Sequence, residues 1–241
     1  MNATFNIIQH KAVSTKIADG AAWRLWADGS LNVADLPDIK PDVSFLPAML
    51  RRRLDLLSRL MFQAAFHLAD DLGDYPVVFV SHDGEINRSF EMYVSLLKDA
   101  MVSPNSFSLS VHNAAVGQWS VVRQFTGETV ALAARRDGFE CGVMESVSMF
   151  NDGAEKVLLI VADNPLSAEF SVTPYIRAPF AYAWAGVLAK GDDYALSFEP
   201  AQNADNGEYW GALNFIRAEE QGKKSFANKY QHGNWQWQVK R

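Results

Sequence analysis

The sequence holds one cysteine, Cys141, in 241 residues. A lone thiol excludes an intrachain disulfide and any zinc site built from several cysteines. Long apolar runs are also missing. No stretch of about 18 apolar residues occurs, so no transmembrane helix is expected. The opening residues, MNATFNIIQHK, have no basic region ahead of a long apolar core, so no signal peptide is expected and a cytoplasmic location is the default reading. Lys and Arg number 22 against 28 Asp and Glu, a net charge of −6, whereas broad nucleic-acid binding needs clustered cations. The five histidines (His10, His67, His82, His112 and His232) show no paired spacing for metal ligation or acid–base work, and no metal or cofactor is expected. No internal repeat or low-complexity linker is present.

What is there is an ordinary globular composition, 49% hydrophobic and 21% charged, in a chain long enough to bury a sizeable core. Residues 1–45 read as irregular to β-like, with a strand near Phe5–Ile8 and a turn at Asp28-Gly29-Ser30. From Pro47 to Asp70, Leu50, Leu54, Leu57, Met61, Ala64 and Leu68 recur at helical spacing. Pro76–Val80 is a short all-apolar strand of the kind buried on both faces. Ser81–Glu85 is a turn, and 85–100 is helical with Phe90, Tyr93, Val94, Leu96 and Leu97 on its apolar side. Ser106–Val111 alternates polar and apolar residues, and a helix follows from Asn113 to Phe125. A strand at 130–134, a turn at 135–138 and a helix at 139–150 lead to the break Asn151-Asp152-Gly153. Val157–Ala162 is the clearest strand in the chain. This alternation argues for an α/β fold, a parallel sheet covered by helices. Beyond it, Ala181–Leu188 and Tyr194–Phe198 read as strands joined by a hairpin turn at Lys190-Gly191-Asp192-Asp193. A helix at 207–219 and a terminal strand at Trp235–Val239 follow.

The stretch GETVALAARRDGFECG, residues 127–142, raises the question of chemistry. It reads as strand, tight turn and helix start, where many α/β enzymes mount a nucleophile. Cys141 is then either that nucleophile or a small apolar filler on the helix.

In one ungapped register, residues 103–164 resemble the N-terminal half of the β-ketoacyl synthases, the condensing enzymes of fatty-acid and polyketide synthesis. Ser103-Pro104 matches the family's Ser-Pro, Asn113 and Gly117 its Asn-x-x-x-Gly helix, and Gly127 the first residue of its Gly-Pro motif, here followed by Glu128. Gly142 to Gly153 matches the helix behind the nucleophile, and Val157 to Ala162 the next strand. Upstream, Pro76 to Glu85 is similar to the strand and loop lining the active-site cavity. The resemblance implies a thiolase-like layered sheet covered by helices. It divides the single 1–241 domain into a ketosynthase N-terminal half over 1–165 and a truncated completion over 166–241.

Two departures matter. The family's nucleophilic cysteine falls on Arg136, which cannot be acylated and stays charged. The second half, with its two catalytic histidines, has no room after residue 165, where His232 is the sole histidine. The chain therefore resembles chain-length factors, above all the short ketosynthase-like proteins of bacterial aryl polyene clusters. That resemblance implies a heterodimer in which an active β-ketoacyl synthase supplies cysteine and histidines and handles chains carried by acyl carrier protein. This chain would supply the dimer face and the tunnel floor, with poor behaviour when expressed alone.

On the same resemblance, Asn105, Ser106 and Phe107 reach across the dimer axis into the partner's acyl pocket. Phe107 is either a stop for the extending chain or an ordinary interface aromatic. Val111, His112, Asn113, Gln118 and Trp119 flank this tunnel and interface region, His112 as a hydrogen-bonding residue. Arg136 has two readings: a plug pairing with Glu128, Asp137 or Glu140, which the nearby carboxylates favour, or a group reaching the partner or a carrier phosphate. Two other hypotheses remain: an independent acyltransferase or hydrolase using Cys141 or Ser81, and a binding module without a polyketide role.

Overall fold

A computed structural model describes residues 2–70, 72–73, 75–170, 178–202 and 211–241. Its strands are β1 (Asn2–Ser14), β2 (Val77–Ser81), β3 (Thr129–Ala133), β4 (Lys156–Asp163), β5 (Tyr182–Pro200), β6 (Ser225–Tyr230) and β7 (Gly233–Val239). Its helices are α1 (Gly20–Ala27), α2 (Ala48–Arg51), α3 (Leu56–Ala65), α4 (Ile86–Asp99), α5 (Pro104–Ser108), α6 (Ala114–Arg123), α7 (Gly138–Asn151) and α8 (Ala212–Glu220). The strands form one sheet in the order β3-β2-β4-β5-β7-β6, with β1 lying along β5.

The all-apolar strands occupy the middle because both faces of the sheet are covered. Successive side chains point to opposite faces. Val78 and Val80 of β2, with Val157, Leu159 and Val161 of β4, pack toward α7, α8 and α1. Val77 and Phe79, with Leu158, Ile160 and Ala162, pack toward α3 and α6. Helix α7 lies close on the sheet at Gly142, where an added Cβ would meet Leu159 and Val80 at 2.7 Å. The far half of the sheet curls over this helix layer. Phe139 of α7 stacks on Trp237 of β7, and Phe5 of β1 packs edge-on to the same indole.

Several local readings need correction. The sheet is mixed: β2 is parallel to β3 and β4, while β4–β5, β1–β5, β5–β7 and β6–β7 are antiparallel. The N-terminal segment forms a 13-residue strand and an eight-residue helix. The helix starts where the Asp19 side chain accepts from the Ala22 amide at 2.9 Å. The segment 47–70 is two α-helices and a closing 3-10 turn, Phe66–Ala69, not one helix. Leu54 turns inward and Asp55 begins α3 by accepting from the Ser58 amide at 2.8 Å. The alternation at 106–111 is no strand. Ser103 caps α5, accepting from the Ser106 amide at 3.4 Å, and Pro104 sits in its first turn.

The hairpin read at 181–198 is instead one continuous strand. β1 runs along both of its halves, and the register shifts from Phe5/Tyr194 to Asn6/Ala189, so Lys190–Asp193 loop out. Asn6 holds this bulge by accepting from the Asp193 amide at 3.0 Å. The hairpin of this region is β6–β7, and the β6 strand had no clear signal in the sequence. The helix read at 207–219 is described from Ala212, its residues 207–210 lying outside the described residues.

Candidate functional site

The carboxyl ends of β2, β3 and β4 converge beside the N-terminus of α7. Parallel strands with short loops place their following turns together in this way. After β2, Ser81 donates to the Asp163 carboxylate at 3.1 Å and accepts from the Gly84 amide at 2.8 Å. The same Asp163 oxygen accepts the His82 amide at 2.7 Å. Asp163 is fully enclosed, and burial pushes its carboxyl above the usual range while the His82 and Asp83 amides pull it back. Ser81 is thus sealed inside a structural network with 0% exposure, which disfavours it as a nucleophile.

His82 donates from Nδ1 to the Ala134 carbonyl at 3.1 Å, tying the β2 turn to the β3 turn. His112 donates from Nε2 to the Ser81 carbonyl at 3.3 Å. Burial lowers its pKa, so it remains neutral and acts as a hydrogen-bonding residue. Its ring lies against Gly84, whose φ is +53° and where a Cβ would come within 2.9 Å of the ring. A residue with a side chain is excluded there both by backbone and by space.

Arg136 stands in the β3–α7 turn, half-buried on the wall of a cleft of about 420 Å³ that also takes in His82, Asp137, Phe198, Tyr230 and His232. The β6–β7 hairpin tip brings His232 from far along the chain to this cleft, which His82 also lines, a convergence that no sequence spacing signals. Of the carboxylates read as Arg136's partners, Asp137 lines the same cleft. Glu128 precedes β3, at the strand's opposite end. Asp137 accepts from the Trp235 indole at 3.2 Å. Glu140 accepts from Asn228, from Tyr230 at 3.3 Å and from Trp237 at 3.3 Å. Asp137 and Glu140 thus bind the hairpin that closes over the turn.

Glu140 has 0% exposure, and burial, opposed by the Asn228 and Trp237 donors, pushes its carboxyl to about 7. Cys141 follows it on α7. Burial, then the nearby Asp137 and Glu140 carboxylates, pushes the thiol up to about 12. At neutral pH that leaves about one thiolate in 10⁵, the opposite of what an activated cysteine requires.

The second region of interest is the face formed by α4, α5 and α6. Helix α4 is amphipathic, yet none of its residues is buried; Tyr93, Leu96 and Leu97 are all exposed. Met101, Phe107 (67%), Val111 and Val121 (73%) continue the apolar surface. Asn105 and Asn113 are exposed, Ser106 half-buried. Between α2 and α5–α6 runs an apolar groove of about 380 Å³ that includes Val111, Asn113 and Gln118. Trp119 is the exception among these predicted residues. It is fully buried and stacks on Phe62 at 5.6 Å, so it belongs to the core and adds nothing to the exposed face. Among the described residues, no group of three or more His, Cys, Asp or Glu is placed to hold a metal ion, and no helix is long and apolar enough to cross a membrane.

The family model described as "Beta-ketoacyl synthase, N-terminal domain" matches residues 23–238. Among solved structures, a chain of the ketosynthase (ApeO) in complex with its chain length factor (ApeC) from Xenorhabdus doucetiae superposes with a TM-score of 0.86. The identity is 22%, over 98% of this chain and 99% of that one. The ishigamide ketosynthase/chain length factor superposes at 0.64, with 15% identity, over 92% and 74% of the two chains. The complex AntDE:AntF, a type II polyketide synthase acyl-carrier protein with its ketosynthase, gives 0.60 at 12% identity, over 92% and 83%. No curated protein matches the sequence. These likenesses give the fold as thiolase-like. The match over residues 23–238 places this chain in the β-ketoacyl synthase family, with the family's N-terminal domain.

Proposed function

We propose that this chain is a non-catalytic ketosynthase-like subunit, a chain-length factor. It pairs with an active β-ketoacyl synthase and shapes the acyl tunnel in type II polyketide synthesis of the aryl polyene kind. The observation that carries the reading is the end-to-end correspondence, 98% and 99% of the two chains, with a chain from a ketosynthase–chain length factor complex. The state of the nucleophile turn supports it: Arg136 occupies the turn, and the nearby thiol is held protonated.

On this reading the partner supplies the nucleophile and the histidines, and acyl carrier protein delivers chains to the complex. The apolar face of α4, α5 and α6 is the dimer surface, which accounts for an amphipathic helix that leaves Tyr93, Leu96 and Leu97 exposed. Asn105, Ser106 and Phe107 project from α5 toward the partner's acyl pocket. Phe107, the bulkiest exposed side chain of that helix, ends the tunnel. Lengthening a chain against a closed aromatic wall is an overpacking problem, costing about 1–3 kcal/mol or more per added unit. Arg136 closes the disused cleft on this chain.

Co-expression with the ketosynthase encoded nearest to it tests the reading. A 1:1 complex by native mass spectrometry is expected, with polyene formation requiring both chains. A soluble, monodisperse chain that ignores every ketosynthase of its source would overturn it.

A further inference from the structure

Arg136 closes the cleft at the nucleophile turn to the family's covalent chemistry but leaves about 420 Å³ of it open. Four separate segments meet there. The β2 turn contributes His82, the β3–α7 turn Arg135, Arg136 and Asp137, the end of β5 Phe198, and the hairpin tip Tyr230 to Gly233. Several of these groups are committed within the chain. His82 Nδ1 bonds the Ala134 carbonyl at 3.1 Å, Asp137 accepts from Trp235 at 3.2 Å, and Tyr230 donates to Glu140 at 3.3 Å. Arg135, Gln231 and His232 are exposed, and among the described residues their side chains enter no hydrogen bond or ion pair. Two guanidiniums stand against one carboxylate, so the lining is cationic even with both imidazoles neutral, on a chain whose net charge is −6. Among the described residues of the wall, apolar side chains are confined to the rings of Phe198 and Tyr230, which suits an acyl chain far less than the groove beside α5 and α6 does.

We propose that this cleft binds a small oxyanion, a phosphate or carboxylate group, held by Arg135 with Arg136 adding charge and Gln231 and His232 donating from the hairpin tip. A guanidinium presents paired N–H donors that match two oxygens of such a group. One exposed arginine on its own is an ordinary surface feature. Here three uncommitted side chains, all able to donate, come from two distant segments to one concave wall. That wall lies outside the carboxyl ends of parallel strands, where open α/β sheets bind their ligands. The site belongs to this chain alone and does not depend on the heterodimer.

Isothermal titration of the full chain, by itself or in its heterodimer, with inorganic phosphate and separately with malonate at constant ionic strength tests the proposal. Saturable 1:1 binding of at least one anion is expected. Phosphate alone would mark the ligand as a phosphate ester, malonate alone as a carboxylate, and both as any group with two free oxygens. Arg135→Gln should raise the Kd about tenfold, the loss of one charge-assisted hydrogen bond, and His232→Ala about threefold, the loss of a neutral one. Arg135→Lys should keep part of the affinity, since charge remains and the paired donors do not. Lys223→Gln, outside the cleft, removes the same charge and should leave the Kd unchanged. No saturable binding of either anion overturns the site, and so does binding that Arg135→Gln and Lys223→Gln weaken alike. Both results leave the proposed function standing.

Discussion

Replacing Glu140 by Gln should change how stability depends on pH in a way that can be worked out from its surroundings. The carboxyl titrates at about 7 in the fold against 4.5 as a free group, because burial disfavours its charge more than its three side-chain donors favour it. The folded state therefore binds more protons than the unfolded state between those values. The stability this group contributes is fully present below pH 4.5 and is lost as pH rises through 7. At 1.36 kcal/mol per pH unit, the difference amounts to about 3 kcal/mol. Gln keeps the oxygen that accepts from Asn228 and Trp237, and its amide can donate to the Tyr230 hydroxyl oxygen. It thus copies the protonated acid and does not titrate. Urea or thermal unfolding should show the two proteins nearly equal at pH 4.5. At pH 8 the variant should be more stable by about 3 kcal/mol, or about 6–12 °C in Tm for a chain of this size. Parallel pH profiles would refute the reasoning, and so would a variant that is weaker at pH 8. Parallel profiles would mean that the fold does not raise the carboxyl, and a weaker variant that the hairpin clamp needs a charged carboxylate.

Other expectations follow from the same contacts. Trp119→Ala should lower stability by about 3–5 kcal/mol, measured by denaturant unfolding, because it empties a fully enclosed indole site between α6 and α3. Gly84→Ala should destabilise by more than 1 kcal/mol, through the left-handed backbone and the His112 contact, and a neutral result would show that the β2 turn is not held as described. Cys141 should resist iodoacetamide at pH 7.5 under conditions that label an exposed thiol, read by intact mass. In a reconstituted complex, Phe107→Ala should shift polyene products toward longer chains, with mass spectrometry of the products as the readout; an unchanged distribution would leave Phe107 as an ordinary interface aromatic.

The central sheet was legible because its strands state their own burial: Val77–Val80 and Val157–Ala162 are apolar at every position, and only a strand covered on both faces uses such a run. The nucleophile turn was legible for the same reason, lying between two such signals. The flanking parts were not. β1 mixes exposed and buried positions because it lies along only one strand, so Asn2–Ser14 shows little beyond Phe5–Ile8. Lys190–Asp193 has the residues of a turn but forms a bulge, since the partner that keeps the strand running, Asn6, is 187 residues away from Asp193. Long-range pairing overrode local turn chemistry. At the site, the hairpin donors Asn228, Tyr230, Trp235 and Trp237 all act across about a hundred residues on Asp137 and Glu140 at the start of α7, contacts that sequence proximity does not signal. Trp119 reads as an interface residue on the family resemblance alone, which does not show that this indole turns inward onto Phe62.

The central claim is that this chain contributes a surface and a tunnel wall while its partner carries the covalent chemistry. Intact-mass analysis of the purified 1:1 complex after incubation with an acyl-carrier thioester addresses it directly. The account predicts one acyl adduct on the ketosynthase subunit and none on this chain. A stoichiometric adduct on this chain, mapped to Cys141 or Ser81, would contradict it.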